Sequence, residues 1–256
     1  MPTYSPIWTE SFEVRTFETD AGGHVSFLAL CNYFQEAAGK HAHSYGVAVD
    51  QLLPEGKTWV LARLHICIDA YPDWTDVVTV ETWPSGVQGL FAIREFQFHS
   101  GGAVIGYGTS AWLVIDLNRR RPVRVEQLLS HVAPPDRPRT IEDAFPRLPV
   151  PERVDHARSF HVRYSDLDLN QHVNNVRFAE WAFESVPDEV LHGAVLREIE
   201  LQYRAEATFG DLVMVEAQCT NGADAPRFRH RLVRDADGRD LAVARTRWSP
   251  RAGAAE

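Results

Sequence analysis

The sequence predicts an α+β chain built twice over, as two similar halves that each wrap a long antiparallel sheet around one central helix. Three observations carry this reading: an internal repeat, a helical segment at the same place in each copy, and a series of long β-branched runs after each helix. The repeat comes first, because a missed duplication misreads the whole architecture. Val14-Arg15, Asp20 and His24-Val25 recur 148 positions later as Val162-Arg163, Asp168 and His172-Val173, and Glu36 recurs as Glu184 at the same spacing.

The helices follow each His-Val pair. In the first copy Leu28, Leu30, Cys31, Phe34, Ala37 and Ala38 recur at helical spacing and leave Gln35 and Lys40 on another face. The second copy, residues 176–185, is shorter. The strands come next, as alternating or continuous apolar runs at 60–68, 77–82, 91–98 and 104–117, then at 195–203, 212–219, 228–233 and 241–248. Asp76-Val77-Val78 matches Asp211-Leu212-Val213 at an offset of 135, so the first copy carries thirteen extra residues, which this reading places at 46–56. One strand, one helix and about four long strands per half make an antiparallel sheet curling around a helix, and the pair of them a tandem (double) hot-dog fold. Between the halves, Pro134, Pro135, Pro138, Pro146, Pro149 and Pro151 are too dense for a helix or central strand. The expected domains are an N-terminal half at 1–132, a Pro-rich linker at 133–155, and a C-terminal half at 156–256.

Composition narrows the function classes. Hydrophobic residues at 45% and charged residues at 24% are those of an ordinary globular protein. A net charge of −9 repels polyanions, which argues against nucleic acid and anionic membranes as general partners. Cys31, Cys67 and Cys219 are odd in number and widely spaced, which fits neither a disulfide framework nor structural zinc and points to a reducing cytoplasm. The opening Met-Pro-Thr-Tyr-Ser lacks the basic and apolar pattern of a leader, and no run is long enough for a membrane-spanning helix, so a cytoplasmic protein is expected.

The most informative stretch is residues 163–176, where Asp166, Asp168, Asn170, Gln171, His172, Asn174 and Asn175 crowd into a loop before a helix. Such a loop points backbone N–H groups from the positive end of the helix, where a developing oxyanion is stabilised. Taken singly, Asp168, Asn170 and Asn174 read as caps and turn formers.

Together they do more: the run Asp168-Leu169-Asn170-Gln171-His172-Val173-Asn174-Asn175 closely resembles the active-site loop of the acyl-acyl-carrier-protein thioesterases, enzymes of plants and bacteria that release fatty acids from their carrier. Tyr71-Pro72-Asp73-Trp74-Thr75-Asp76-Val77-Val78, Trp112-Leu113-Val114-Ile115-Asp116 with Arg119-Arg120-Arg121-Pro122, and Gln202-Tyr203-Arg204-Ala205-Glu206 resemble further blocks of that family in the family's order. The resemblance covers nearly the whole chain, and the family's double hot-dog architecture agrees with the repeat. It implies that Asp168, Asn170, His172 and Glu206 form the catalytic set, acting without cofactor on a fatty acyl chain carried by acyl carrier protein. Either carboxylate, Glu206 or Asp168, suits activation of water or direct attack on the thioester carbonyl, with His172 exchanging a proton and Asn170 orienting a partner or donating to the oxyanion. Ala207 stands where plant members often have a cysteine, so a thiolate mechanism at that position is excluded. No G-x-S-x-G elbow supports a serine hydrolase either.

The repeat supplies an internal control. The first half keeps Asp20 and His24, but Gly22 stands where Asn170 does and Tyr71 where Glu206 does. It is therefore expected to be a silent copy, its Asp20 a cap and its His24 a hydrogen-bonded structural residue.

Weaker signals have plainer readings. Gly106-Tyr107-Gly108-Thr109-Ser110-Ala111 matches G-x-G-x-x-A but runs into a strand, whereas a phosphate cradle needs a helix there. His41 and His43 point to different sides of a helix, so no metal is implied. Arg119, Arg120, Arg121 and Arg124 form a basic cluster that reads first as a solvated turn and second as a docking site for an acidic carrier. Leu30, Phe34, Trp59, Leu61 and Phe91 read as core. Leu30, Phe34, Trp59 and Phe91, with Asn174 and Asn175, are also the candidates for substrate contact. The competing functions are an acyl-CoA thioesterase of the same fold and a non-catalytic acyl-binding protein. Two fused halves pair as single hot-dog chains do in a dimer, so a monomer or a homodimer is expected.

Overall fold

The computed structural model describes residues 5–221 and 225–251. Contacts divide the chain into residues 1–144 and 145–256, a division that falls inside the proline-rich stretch.

In the first unit, β1 (Trp8–Glu13) leads through a turn to α1 (Phe27–Ser44), and α2 (Val49–Leu52) connects to the long strands β2 (Lys57–Ile68), β3 (Val77–Gln88), β4 (Phe91–Ser100) and β5 (Ala103–Asp116). A short β6 (Arg121–Val123) and α3 (Val125–Leu128) follow. The sheet runs β1-β3-β4-β5-β2, antiparallel throughout, with β6 added beside β5. Strand alternation sends Ala92, Phe96 and Phe98 to one face of β4, where Phe96 meets Phe34 of α1 edge-on with ring centroids 4.8 Å apart. The helix is thus the filling of the sheet, as the hot-dog reading requires. Gly106 lies in β5 rather than in a phosphate loop, and a Cβ there would stand 2.6 Å from the Cys67 carbonyl, so glycine permits the close approach of β2.

The second unit repeats the plan. β7 (His156–His161) leads to α4 (Asn175–Glu184) and the short α5 (Asp188–Gly193), then β8 (Ala194–Tyr203), β9 (Leu212–Cys219), β10 (Arg227–Arg234) and β11 (Asp240–Pro250). Its sheet runs β8-β11-β10-β9-β7, again antiparallel. Trp181 of α4 stacks on Phe160 and Phe183 packs on Trp248, which seats the helix on the sheet.

One expectation is corrected. The extra residues of the first half do not all sit at 46–56, because α1 has 18 residues and α4 has 10. α4 stops where the Ser185 hydroxyl bonds back to the Ala182 carbonyl and Pro187 follows, whereas α1 runs on to Ser44, whose hydroxyl makes the same bond to the His41 carbonyl.

The proline-rich stretch is a strap rather than a loose linker. Arg139 and Thr140 bond the buried carboxylate of Glu95 from outside the first sheet, with Arg139 Nε 2.9 Å from Oε1. Asp143 pairs with His65 at 2.8 Å. Farther along, the Leu148 and Glu152 amides donate to Gln202 and Gln218 of the second sheet. Main-chain N–H groups without helix or ladder partners are satisfied this way by buried side chains.

Candidate active site

The duplication extends to individual hydrogen bonds. Val14 N donates to Asp76 O as Val162 N donates to Asp211 O, both at 2.9 Å. Val25 N donates to Pro72 O as Val173 N donates to Ala207 O, at 2.7 and 2.9 Å. In each half these bonds fasten the loop before the helix to the turn between two strands.

In the second half the loop begins with the turn Tyr164–Asp166, closed by the Asp166 carboxylate, which accepts from the Arg163 backbone N at 2.8 Å and from its guanidinium at 3.0 Å. Burial pushes that carboxyl up, but the Arg163 side-chain and backbone bonds, with the charges of Arg163 and Arg177, outweigh it and hold the group below its ordinary value. The Asp166 carbonyl accepts from Asn174 N, and Asn174 caps α4 by accepting from Val176 N at 3.0 Å.

Between these anchors a tight turn carries the predicted set. Asp168 N donates to His172 O at 2.8 Å, Gln171 N to Asp168 O at 3.0 Å, and Asn170 N to Asp168 Oδ1 at 2.8 Å. Gln171 takes the left-handed conformation, φ 62°, where the first half has Gly23 at φ 81°. His172 leaves this turn with Nε2 3.3 Å from Oε2 of Glu206, the two side chains 39% and 65% exposed. Glu206 arrives from β8 through Arg204 and Ala205, whose amides both donate to Leu241 O.

Of the four predicted residues, the structure brings His172 and Glu206 into direct contact. Asp168 acts on the backbone instead. Its carboxylate holds the turn through the Asn170 amide, and Asp20 does the same in the first half by accepting from Gly22 N at 2.8 Å and His24 N at 3.2 Å. Of the two carboxylates, Glu206 is the one that stands beside the imidazole. The expected supply of loop amides is also reduced. The N–H groups of Asn170, Gln171, Val173, Asn174, Val176 and Arg177 are engaged within the loop, its cap and the 207 turn.

The substrate-contact candidates separate. Leu30 and Phe34 lie on the buried face of α1. Trp59, half-buried, donates Nε1 to Val47 O at 2.7 Å and packs against Ala92 and Val114. Phe91 precedes Ala92 and so points to the opposite face of β4, away from α1. Asn174 spends its side-chain oxygen on the cap, and the Asn175 carbonyl accepts from Tyr203 OH at 3.1 Å. Arg119, Arg120, Arg121 and Arg124 are exposed around the β5–β6 turn, Arg119 3.9 Å from Asp116. His41 is buried and His43 faces Asp50 at the surface, so they share no site. Sequence reasoning missed Asp73, which pairs with His24, and Arg234, which touches the Glu206 backbone. Nothing local marks them, since both depend on strand register.

Comparison with known proteins bears on the family and the fold. The model of the acyl-ACP thioesterase N-terminal domain matches residues 6–131, and that of the C-terminal domain matches residues 151–250. An oleoyl-acyl carrier protein thioesterase, chloroplastic, of Coriandrum sativum is 30% identical over 94% of this chain and 76% of its own length. A palmitoyl-acyl carrier protein thioesterase, chloroplastic, of Cuphea hookeriana is 28% identical over 96% of this chain, which spans 63% of that relative's length. Among solved structures, an acyl-ACP thioesterase from Bacteroides thetaiotaomicron superposes with a TM-score of 0.81 at 28% identity, covering 95% of this chain and 98% of the other.

Proposed function

Because this chain belongs to the acyl-ACP thioesterase family, we propose that it hydrolyses fatty acyl-acyl carrier protein to a free fatty acid and the carrier thiol. The observation that carries the reading is the His172–Glu206 contact at 3.3 Å, made in the half whose loop also holds Asn170. Glu206 takes a proton from water as the water oxygen bonds the carbonyl carbon, and the C=O electron pair moves onto oxygen, where the Asn170 side chain donates. Collapse re-forms the carbonyl and breaks the C–S bond, and the proton held by the Glu206–His172 pair passes to the departing thiolate. General acid–base transfer of this kind contributes roughly 10²- to 10⁴-fold, and one oxyanion donor about 10²- to 10³-fold.

The first half, with Tyr71 and Gly22 at the matching positions, is assigned to the acyl chain, with Trp59 offering partly exposed apolar surface. The exposed arginines at 119–124 suit an acidic carrier on an otherwise acidic chain. Three unpaired cysteines, Cys31, Cys67 and Cys219, support a reducing, cytoplasmic setting.

The test is steady-state thiol release from a panel of acyl chains of graded length, each presented on carrier protein and on CoA, with Glu206→Gln as control. Release from carrier substrates that falls at least about 10²-fold in the variant is expected. A protein that releases no thiol from any substrate would be a binding module instead, and release from CoA alone would reassign the carrier.

A further inference from the structure

The turn that bears Glu206 is braced by a side chain outside the four predicted residues. Arg234, the last residue of β10, is 18% exposed and donates Nη2 to the Glu206 carbonyl at 2.6 Å. Its Nε lies 3.3 Å from Asp211 Oδ2, and its Nη1 donates to Asp237 Oδ2 at 3.2 Å. Asp211 in turn closes the same turn, since its Oδ2 accepts from Thr208 N at 2.9 Å. One planar guanidinium therefore links the Glu206 carbonyl, by a hydrogen bond, to Asp211 at the far end of the turn, by an ion pair without hydrogen-bond geometry. A rigid fork of donors fixes direction as well as distance.

The first half shows what the turn does without this arginine. Val213 faces Arg234, and its counterpart Val78 precedes Thr79, which faces His99, so Ser100 occupies the place of Arg234. A serine there is too short to span the turn. Yet the first-half turn still closes, with Asp73 N donating to Asp76 Oδ2 at 3.0 Å, and it carries Tyr71 where the second half carries Glu206. The turn thus folds without the arginine, and the arginine is present in the half whose turn carries Glu206.

Building on the hydrolase reading above, we infer that Arg234 is a positioning residue that holds Glu206 toward His172. Displacing a catalytic group by about 1 Å costs on the order of 10²-fold in rate. Arg234→Met should therefore lower kcat by about 10- to 100-fold, with KM within about 2-fold of the parent and the folded fraction, read by circular dichroism, intact. Arg234→Lys should recover part of the loss, because an ammonium reaches the Glu206 carbonyl but makes no fork. Asp237→Ala, which removes the outer contact and the acceptor of the Arg239 amide but leaves the Arg234 bond to the Glu206 carbonyl in place, should leave turnover unchanged. The inference is overturned if Arg234→Met turns over at the parent rate, or if its loss disappears once kcat is corrected for the folded fraction. Should that variant not fold, Arg234→Lys decides: a kcat lowered at least about fivefold supports the role, and an unchanged one removes it. Absence of thiol release by the parent protein would instead strike the hydrolase reading itself.

Discussion

Nδ1 of His24 stands 2.6 Å from Oδ1 of Asp73, so the half that lacks a counterpart of Glu206 still pairs its histidine with a carboxylate. The carboxylate comes from two positions farther along the turn than Glu206 does, and it meets the other ring nitrogen, since His172 uses Nε2. The pair closes the loop onto the turn but turns the imidazole differently, and Gly22 leaves it without an amide side chain nearby. His24→Ala and Asp73→Asn should each leave kcat within about 2-fold, while His172→Ala loses at least about 10²-fold. A His24→Ala protein that folds normally and is as inactive as His172→Ala would show that both halves work.

The two halves exchange glycine for a side chain at two left-handed positions. Gln171 answers to Gly23, and Thr75 at φ 74° answers to Gly210 at φ 86°. The left-handed region costs an ordinary residue about 1–2 kcal/mol, against about 0.5–1 kcal/mol of extra chain entropy for glycine. Thr75→Gly and Gln171→Gly should each stabilise by roughly 0.5–1 kcal/mol, the β-branched threonine more, as shifts in urea midpoint. Gly23→Ala and Gly210→Ala should each cost about 1 kcal/mol, a purely backbone effect because a Cβ at either place meets nothing within 4 Å.

His230 sets part of the acid stability. It is buried, with Nδ1 3.0 Å from Ser185 Oγ and Nε2 2.9 Å from Thr246 Oγ1, and burial pushes its pKa down to about 3. The unfolded chain takes up that proton near pH 6.5, so stability from this group is complete above about pH 6.5 and is lost as the pH falls toward 3, at about 1.4 kcal/mol per pH unit. His230→Gln should flatten the slope of unfolding free energy between about pH 6.5 and 4 by about that amount. An unchanged slope would mean that the imidazole already titrates in the folded protein.

Glu95, fully buried, relies on Arg139 of the strap. Removing one partner of a buried pair costs about 3–5 kcal/mol because the other charge stays uncompensated. Arg139→Ala should lower stability by that order, and adding Glu95→Gln should restore much of it. Denaturant midpoints of the single and double variants check this.

The arginines at 119–124, proposed to meet an acidic carrier, should act in association alone. Arg121→Glu with Arg124→Glu should raise KM for carrier-bound substrate several-fold at low salt and lose that effect at high salt, with kcat constant. Identical kinetics at low salt would make the cluster an ordinary surface turn.

Much of this was legible in the sequence because it rests on periodicity and repetition. Both central helices, the long strands and the 148-residue offset follow from side-chain pattern alone, and the run from Asp168 to Asn175 carried the family resemblance. What escaped depends on partners distant in the chain. The division of labour between Asp168 and Glu206 follows from which carboxylate meets an amide and which meets the imidazole. Asp73 and Arg234 reach their partners only once strand register is set, and the side of β4 on which Phe91 lies is decided by parity within the strand.

The strap between the halves anchors its two ends to different units: Arg139, Thr140 and Asp143 bond the first, Leu148 and Glu152 the second. Scission of the backbone between Ala144 and Arg147 would break none of these bonds and remove no strand from either sheet. A nick there would leave each unit its own stretch of proline-rich cover.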